Sequence, residues 1–308
     1  MKTQQRLTEA YESAKVIEFD NASKYVWLSD AHRGDGSFSD EFMKNKNTFV
    51  AALDHYFAEG YTLIEAGDGD ELWEFRAAHI LKANAMVFER LRRFHTHGRY
   101  LRMFGNHDME MSNPVYVHNH FQVAPHPLTG HPNRVLPGLV VHEAILLRHA
   151  TTGAELLTVH GHQGDLPNDQ NWRLTRFTFR LFWRRLHALG IRSPSSPVRN
   201  SFKRHKVERN FTKWIRQHHV PLICGHTHRE RFPRADEVPY FNTGSCVFPG
   251  YITGLELSDG NLSLVSWRVE ADERRYLRIV RRVLAGPRPV TDFWRRSHGP
   301  QAEPPLPD

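Results

Sequence analysis

The first hundred residues alternate between two rhythms. Short runs rich in β-branched and aromatic residues, Tyr25 to Leu28, Thr62 to Glu65 and Tyr100 to Phe104, read as strands. Between them apolar residues recur at helical spacing. Phe42, Phe49, Leu53 and Phe57 precede a stop at Gly60, and Leu72, Ile80, Leu81, Val87, Phe88 and Leu91 predict one helix from Glu71 or Leu72 to His95. The β-α-β-α-β order predicts parallel strands, because each crossover helix returns the chain to run in the same direction.

Beyond Gly138 the rhythm changes. Leu139 to Leu147 and Glu155 to Val159, joined by Thr151-Thr152-Gly153, give a hairpin signal. Tyr240 to Asn242, Tyr251 to Leu257 and Leu262 to Val269, with Asp259-Gly260 before the last, predict an antiparallel second sheet. The expected fold class is α/β, with two facing mixed β-sheets flanked by helices. A helical insertion, roughly Asp169 to His219, lies between, broken near Gly190 and by Pro194 and Pro197. On a helical projection Arg173, Arg176, Arg180 and Arg184 form one stripe, and Trp172, Phe179, Phe182 and Trp183 cover other faces. Near the C-terminus Arg274, Arg275, Arg278, Arg281 and Arg282 interleave with Tyr276, Ile279, Val280 and Val283, predicting a basic amphipathic helix. The proline-rich chain after Gly286 is expected to be disordered beyond Ser297. The domain boundaries that follow are 20–270 for a catalytic domain, with 168–220 as a basic aromatic insertion and 271–308 as an appendage.

Composition narrows the class. A chain of 308 residues can bury a full-sized core. No run approaches the ~18 apolar residues of a membrane span, and the polar start lacks the apolar centre of a secretory signal. A cytoplasmic protein, peripheral on the inner membrane at most, is expected. Cys224 and Cys246 are too few for a disulfide framework and read as small core residues. Net charge is +7, and thirteen Lys/Arg face two acidic residues between Asn168 and Val220. The rest of the chain is therefore slightly acidic, and the excess favours an anionic partner at the insertion over a generally basic surface.

Five stretches each follow a predicted strand: Ser29-Asp30-Ala31-His32, Gly67-Asp68-Gly69-Asp70-Glu71, Gly105-Asn106-His107-Asp108, His160-Gly161-His162 and Gly225-His226-Thr227-His228. Open α/β sheets gather their chemistry at such strand ends. Carboxylate, imidazole and amide donors from several strands are what a pair of divalent ions ~3.5–4 Å apart requires. Such a site suits Mn²⁺, Fe or Zn²⁺, and the donor types do not choose between them; Mn²⁺ is taken as the working expectation. Asn106 and His107 are adjacent at a strand end, so one can reach metal while the other reaches substrate. Histidines outside the motifs read as surface or loop residues. His162 and Asp165 follow His160 closely enough to touch substrate or metal.

The five motifs in this order resemble the signature of the calcineurin-like metallophosphoesterases over roughly residues 25 to 245. The resemblance implies that family's four-layer sandwich with a helical cap insertion, and hydrolysis of a phosphoester or phosphoanhydride. It implies one metal on Asp30, His32, Asp68 and His228, and a second on Asp68, Asn106, His160 and His226. His107 would donate a proton to the leaving group or stabilise the transition state, oriented by Asp108.

Glu71 and Trp73 complete a Gly-Asp-x-x-Glu-x-Trp pattern similar to the UDP-2,3-diacylglucosamine pyrophosphatase branch of lipid A biosynthesis. That branch carries its lipid-holding cap where this chain has the basic insertion, but has His-Gly-Asp where this chain has His160-Gly161-His162. Arginine forks beside Phe and Trp suit an anionic amphiphile at a membrane surface, with Arg176, Arg180 and Arg184 as substrate contacts. Nucleic acid is the less favoured partner. The alternatives are a soluble phosphatase or phosphodiesterase on nucleotides or phosphoproteins, and a metal-bearing scaffold for acidic partners.

Overall fold

The computed structural model describes residues 2–125, 131–163 and 201–297. Helix α1 (Lys2–Glu12) leads into β1 (Lys15–Phe19), β2 (Tyr25–Leu28), α2 (Lys46–Ala58), β3 (Thr62–Ala66), α3 (Ala77–Ala83), α4 (Ala85–Thr96) and β4 (Tyr100–Met103). A short helix α5 (Pro114–Val117) precedes a small hairpin, β5 (Val123–Pro125) and β6 (Pro132–Arg134). Then come β7 (Val141–His142), β8 (Ala144–His149), β9 (Glu155–Val159), α6 (Ser201–His218), β10 (Leu222–Cys224) and β11 (Tyr240–Asn242). The chain closes with β12 (Tyr251–Ser258), β13 (Asn261–Ala271), β14 (Leu277–Pro289) and α7 (Val290–Ser297).

Two mixed sheets result. One has the order β1-β8-β9-β10-β11 and the other β14-β13-β12-β2-β3-β4-β7. Period-two alternation in the strands builds the layers. In β2, Tyr25 and Trp27 face the other sheet, where they join Ile145, Leu156 and Ile223 of the first sheet. Val26 and Leu28 face the opposite way, onto Phe49, Leu53 and Leu91 of α2 and α4. On the far side of the first sheet, Leu157 and Leu222 meet Leu7 of α1 and Phe211, Trp214 and Ile215 of α6. The order is helices, sheet, sheet, helices. A buried bond from Trp27 Nε1 to Thr158 Oγ1 (3.0 Å) ties the sheets together.

The structure departs from the sequence expectations in three places. The helix expected from residue 71 to 95 begins only at Ala77 and breaks at Asn84, whose Nδ2 bonds both Ile80 O (3.0 Å) and Gly34 O (2.9 Å). Residues 71–75 remain outside it, in the loop that carries Glu71 and Trp73. The expected antiparallel second sheet is divided: β11 pairs in parallel with β10, while β12 pairs with β2 and makes that sheet mixed. The expected C-terminal basic helix is instead strand β14. Ile279, Val280 and Val283 are β-branched, and the arginines find acids across the hairpin or within its sheet, Arg278 with Asp272, Arg282 with Glu270 and Arg281 with Glu256.

Past this hairpin α7 returns Val290, Phe293 and Trp294 to the core between the sheets. Before residue 20, α1 and β1 complete the first sheet and its helical layer. Asp165, most of the expected insertion with Arg176, Arg180 and Arg184, and the tail beyond Ser297 lie outside the described residues. No helix among the described residues is long and apolar enough to cross a membrane.

Candidate metal centre

All five motifs sit where β2, β3, β4, β9 and β10 end, and backbone bonds stitch them together. Asp30 N donates to Gly67 O (3.1 Å), His32 N to Asp68 O (2.9 Å), and Gly225 N to His160 O (2.9 Å). Among the described residues eight other than glycine have positive φ, and five of them are Asp30, His32, Asp68, His226 and His228. The left-handed region is costly for side chains of this kind, and strain of this sort concentrates at functional sites. The turns point these side chains back into one pocket.

Three groups of donor atoms interlock there: Asp30, His32 and His228; His32, Asp68 and His107; and Asp68, His160 and His226. His228 Nε2 lies 3.1 Å from Asp30 Oδ1, and His160 Nε2 lies 3.0 Å from Asp68 Oδ2. His32 Nε2 stands 3.8 Å from both Asp30 and Asp68. His160 Nδ1 is fixed by Ala66 O at 3.0 Å, which leaves Nε2 aimed at the cluster. The donor set fits divalent cations. Asn106 Oδ1 and His226 Nε2 are buried and have no hydrogen-bond partner among the described residues, and the three groups combine two acids with five imidazoles.

Charge in the pocket follows from this crowding. Burial favours protonated acids, but His228 beside Asp30 and His160 beside Asp68 outweigh it and hold both carboxyls well below their usual range. Burial disfavours a charged imidazole, but Asp68 raises His160 to about 9. His226 goes the other way, to about 3, because burial and then repulsion by His160 keep it neutral with a free lone pair.

His107 is gripped from two sides. Its Nδ1 lies 2.7 Å from Glu71 Oε2, and the Trp73 ring stacks on it with centres 4.1 Å apart. Burial raises the Glu71 carboxyl, but attraction by His107 outweighs it and brings the group to about 2. Glu71 Oε2 also bonds His32 Nδ1 at 2.9 Å. Glu71, and not Asp108, therefore orients His107. Asp108 instead accepts from Gly105 N (2.6 Å) and Gly69 N (2.9 Å) and pairs with Arg102. It is an acceptor for loop amides, so it shapes the turn that presents Asp68.

Sequence reasoning missed the layer beneath. Arg33 and Arg102, 0% and 1% exposed, interlace with Glu65, Asp70 and Asp108. Two guanidinium groups thus hold three carboxylates under the pocket. The available signal was a charged residue inside each of two apolar strands, Glu65 in β3 and Arg102 in β4, which the register places side by side. Of the two ambiguous residues after His160, His162 is fully buried and Asp165 is not among the described residues, and neither are Arg176, Arg180 and Arg184.

The sequence matches no family model and no curated protein. Among solved structures, Vps29 of Chaetomium thermophilum is similar with a TM-score of 0.35 and 12% identity over 85% of this chain and 97% of its own. A 5'-nucleotidase of Candida albicans is similar with a TM-score of 0.32 and 13% identity over 90% of this chain and 53% of its own. Likenesses this distant decide nothing about activity, which follows from the side chains of the pocket.

Proposed function

We propose that the chain hydrolyses a phosphoester or phosphoanhydride with the help of two divalent cations. The observation that carries this is three interlocking groups of donor atoms, linked through His32 and Asp68, with a braced imidazole, His107, edge-on to His32 at 4.6 Å between ring centres. Asp30, His32, Asp68 and His228 would hold one cation, and Asp68, Asn106, His160 and His226 the other. When bound, such a pair neutralises phosphoryl oxygens and supplies a nucleophile at neutral pH. The chain's own part is positional. Glu71 and Trp73 fix the His107 ring with Nδ1 on the carboxylate, and the imidazole so held would give a proton to the leaving oxygen.

For the substrate we propose UDP-2,3-diacylglucosamine, cleaved to UMP and lipid X at a membrane surface. Glu71 and Trp73, the pair that resembles this branch, flank His107, and the cationic excess between Asn168 and Val220 suits an anionic amphiphile. Arg176, Arg180 and Arg184 would hold its headgroup. The test is Mn²⁺-dependent release of UMP from this substrate by purified protein, with bis-nitrophenyl phosphate beside it. Cleavage of the control alone keeps the hydrolase and moves the substrate to nucleotides or phosphoproteins. Metal binding with neither reaction leaves a scaffold for acidic partners.

A further inference from the structure

His162 is a buried group that neither half-site uses. It is 0% exposed, and neither Nδ1 nor Nε2 has a hydrogen-bond partner among the described residues. Its ring centre is 5.6 Å from that of His160 and 6.2 Å from that of Phe104. Its nitrogens do not join the atoms of Asp68, His160 and His226 that lie close enough to share an ion. In either protonation state an imidazole carries at least one N–H, and burying that donor without an acceptor is unfavourable. An apolar side chain in the same space would avoid the cost.

The next residue repeats the pattern. Gln163 is buried, its Oε1 accepts from Gly161 N at 3.0 Å, and its Nε2 has no partner among the described residues. Gly161, at φ +115, lets this turn run against His226: a Cβ there would stand 3.2 Å from His226 Cβ. His162 thus stands beside one half-site without belonging to its group of donor atoms, and Gln163, the next residue, carries a second orphan donor.

We propose that His162, with Gln163 beside it, donates hydrogen bonds to phosphoryl oxygens of the substrate at the Asp68–Asn106–His160–His226 half of the pocket. This rests on the pocket being a phosphoester-hydrolysing metal centre. An oxyanion there completes both groups: the histidine and amide donors gain acceptors when phosphate arrives, and lose them when it leaves. His162 is then a substrate contact and not a ligand, which separates phosphate affinity from metal content.

The test uses Mn²⁺-loaded full-length protein with orthophosphate as the probe. His162→Phe should keep the metal stoichiometry of the wild type and weaken orthophosphate binding in calorimetry by roughly tenfold or more, as loss of a hydrogen bond to a charged group does. The Michaelis constant for bis-nitrophenyl phosphate should rise in parallel, because the contact is made to the substrate's phosphoryl oxygens; an unchanged constant overturns the proposal. The metal-free variant should melt no lower than the wild type, because an orphan donor has been removed. His162→Gln, which keeps an N–H donor, should bind orthophosphate within about threefold of wild type. His162→Leu carries the same test if Phe does not fit. Unchanged orthophosphate affinity in the apolar variants overturns the proposal, and so does loss of metal, which would make His162 a ligand or a support. Failure of the wild type itself to bind metal or orthophosphate would instead overturn the function proposed for the pocket.

Discussion

Both carboxylate oxygens of Glu71 lie within 3 Å of Nδ1 of His107, at 2.7 and 2.9 Å, and the nearer one is also 2.9 Å from Nδ1 of His32. One acid therefore orients a proposed metal ligand and a proposed proton donor together. His107→Ala should keep its metal and lose turnover by about 10²–10⁴-fold, as removal of a general acid does. Glu71→Gln should reduce turnover and metal affinity together, each by about 10–100-fold, because both rings lose their anchor. Metal analysis alongside kcat separates the two. Equal metal loss in both variants would dismiss the distinction between them.

Asp108 tests the opposite case. Its carboxylate is shared among Gly69 N, Gly105 N and the Arg102 guanidinium, all buried. Truncating one member of a buried charge network leaves its partners unpaired, at a cost of about 3–5 kcal/mol. Asp108→Ala should therefore lower the free energy of urea unfolding by that amount in metal-free protein. Full stability with turnover lost would return Asp108 to the chemistry at His107.

How far the sequence was legible follows from the range of each signal. Strands β2, β3 and β4 and the motifs after them are local patterns, in which a few apolar residues end at a polar turn, and they are where the sequence predicts them. Partner choice is not local. The arginines of 274–282 satisfy a helical projection as well as a strand, and only pairing with Glu270, Asp272 and Glu256 decides for β14. The same holds in the pocket. Glu71 and Trp73 were visible as a spacing pattern, but that they clasp His107, while Asp108 turns to the loop amides, depends on residues 71–75 staying outside the helix that begins at Ala77.

Gly105 has a steric task that a metal count can read. A Cβ at this position would overlap the Asp68 carboxylate and approach its backbone nitrogen to 2.7 Å. In the proposed site Asp68 serves both half-sites, so Gly105→Ala should release both cations. His228→Ala removes a donor from one half-site and should release only one. Metal equivalents retained after gel filtration measure both, and a Gly105→Ala protein that keeps two would show that Asp68 is not shared.

Glu65 gives a pH dependence whose direction is fixed. Burial raises its carboxyl, but Arg102 and then Arg33 outweigh that and bring it to about 2, from an ordinary 4.5. The folded group thus binds its proton less readily than the unfolded one. The stability it contributes is fully present above about pH 4.5 and is lost as pH falls towards about 2, on the order of 3 kcal/mol in all. Glu65→Gln cannot titrate, so this part of the acid slope should vanish from its urea midpoints between pH 5 and pH 2.5, measured on metal-free protein to keep the pocket's own protons constant in origin. Its stability at pH 6 should also drop, because Arg33 and Arg102 lose a counter-charge while Asp70 and Asp108 remain to them. An acid slope identical to the wild type would mean that the two arginines do not hold Glu65 ionised, and the layer beneath the metal pocket would then be kept in place by the carboxylates of Asp70 and Asp108 alone.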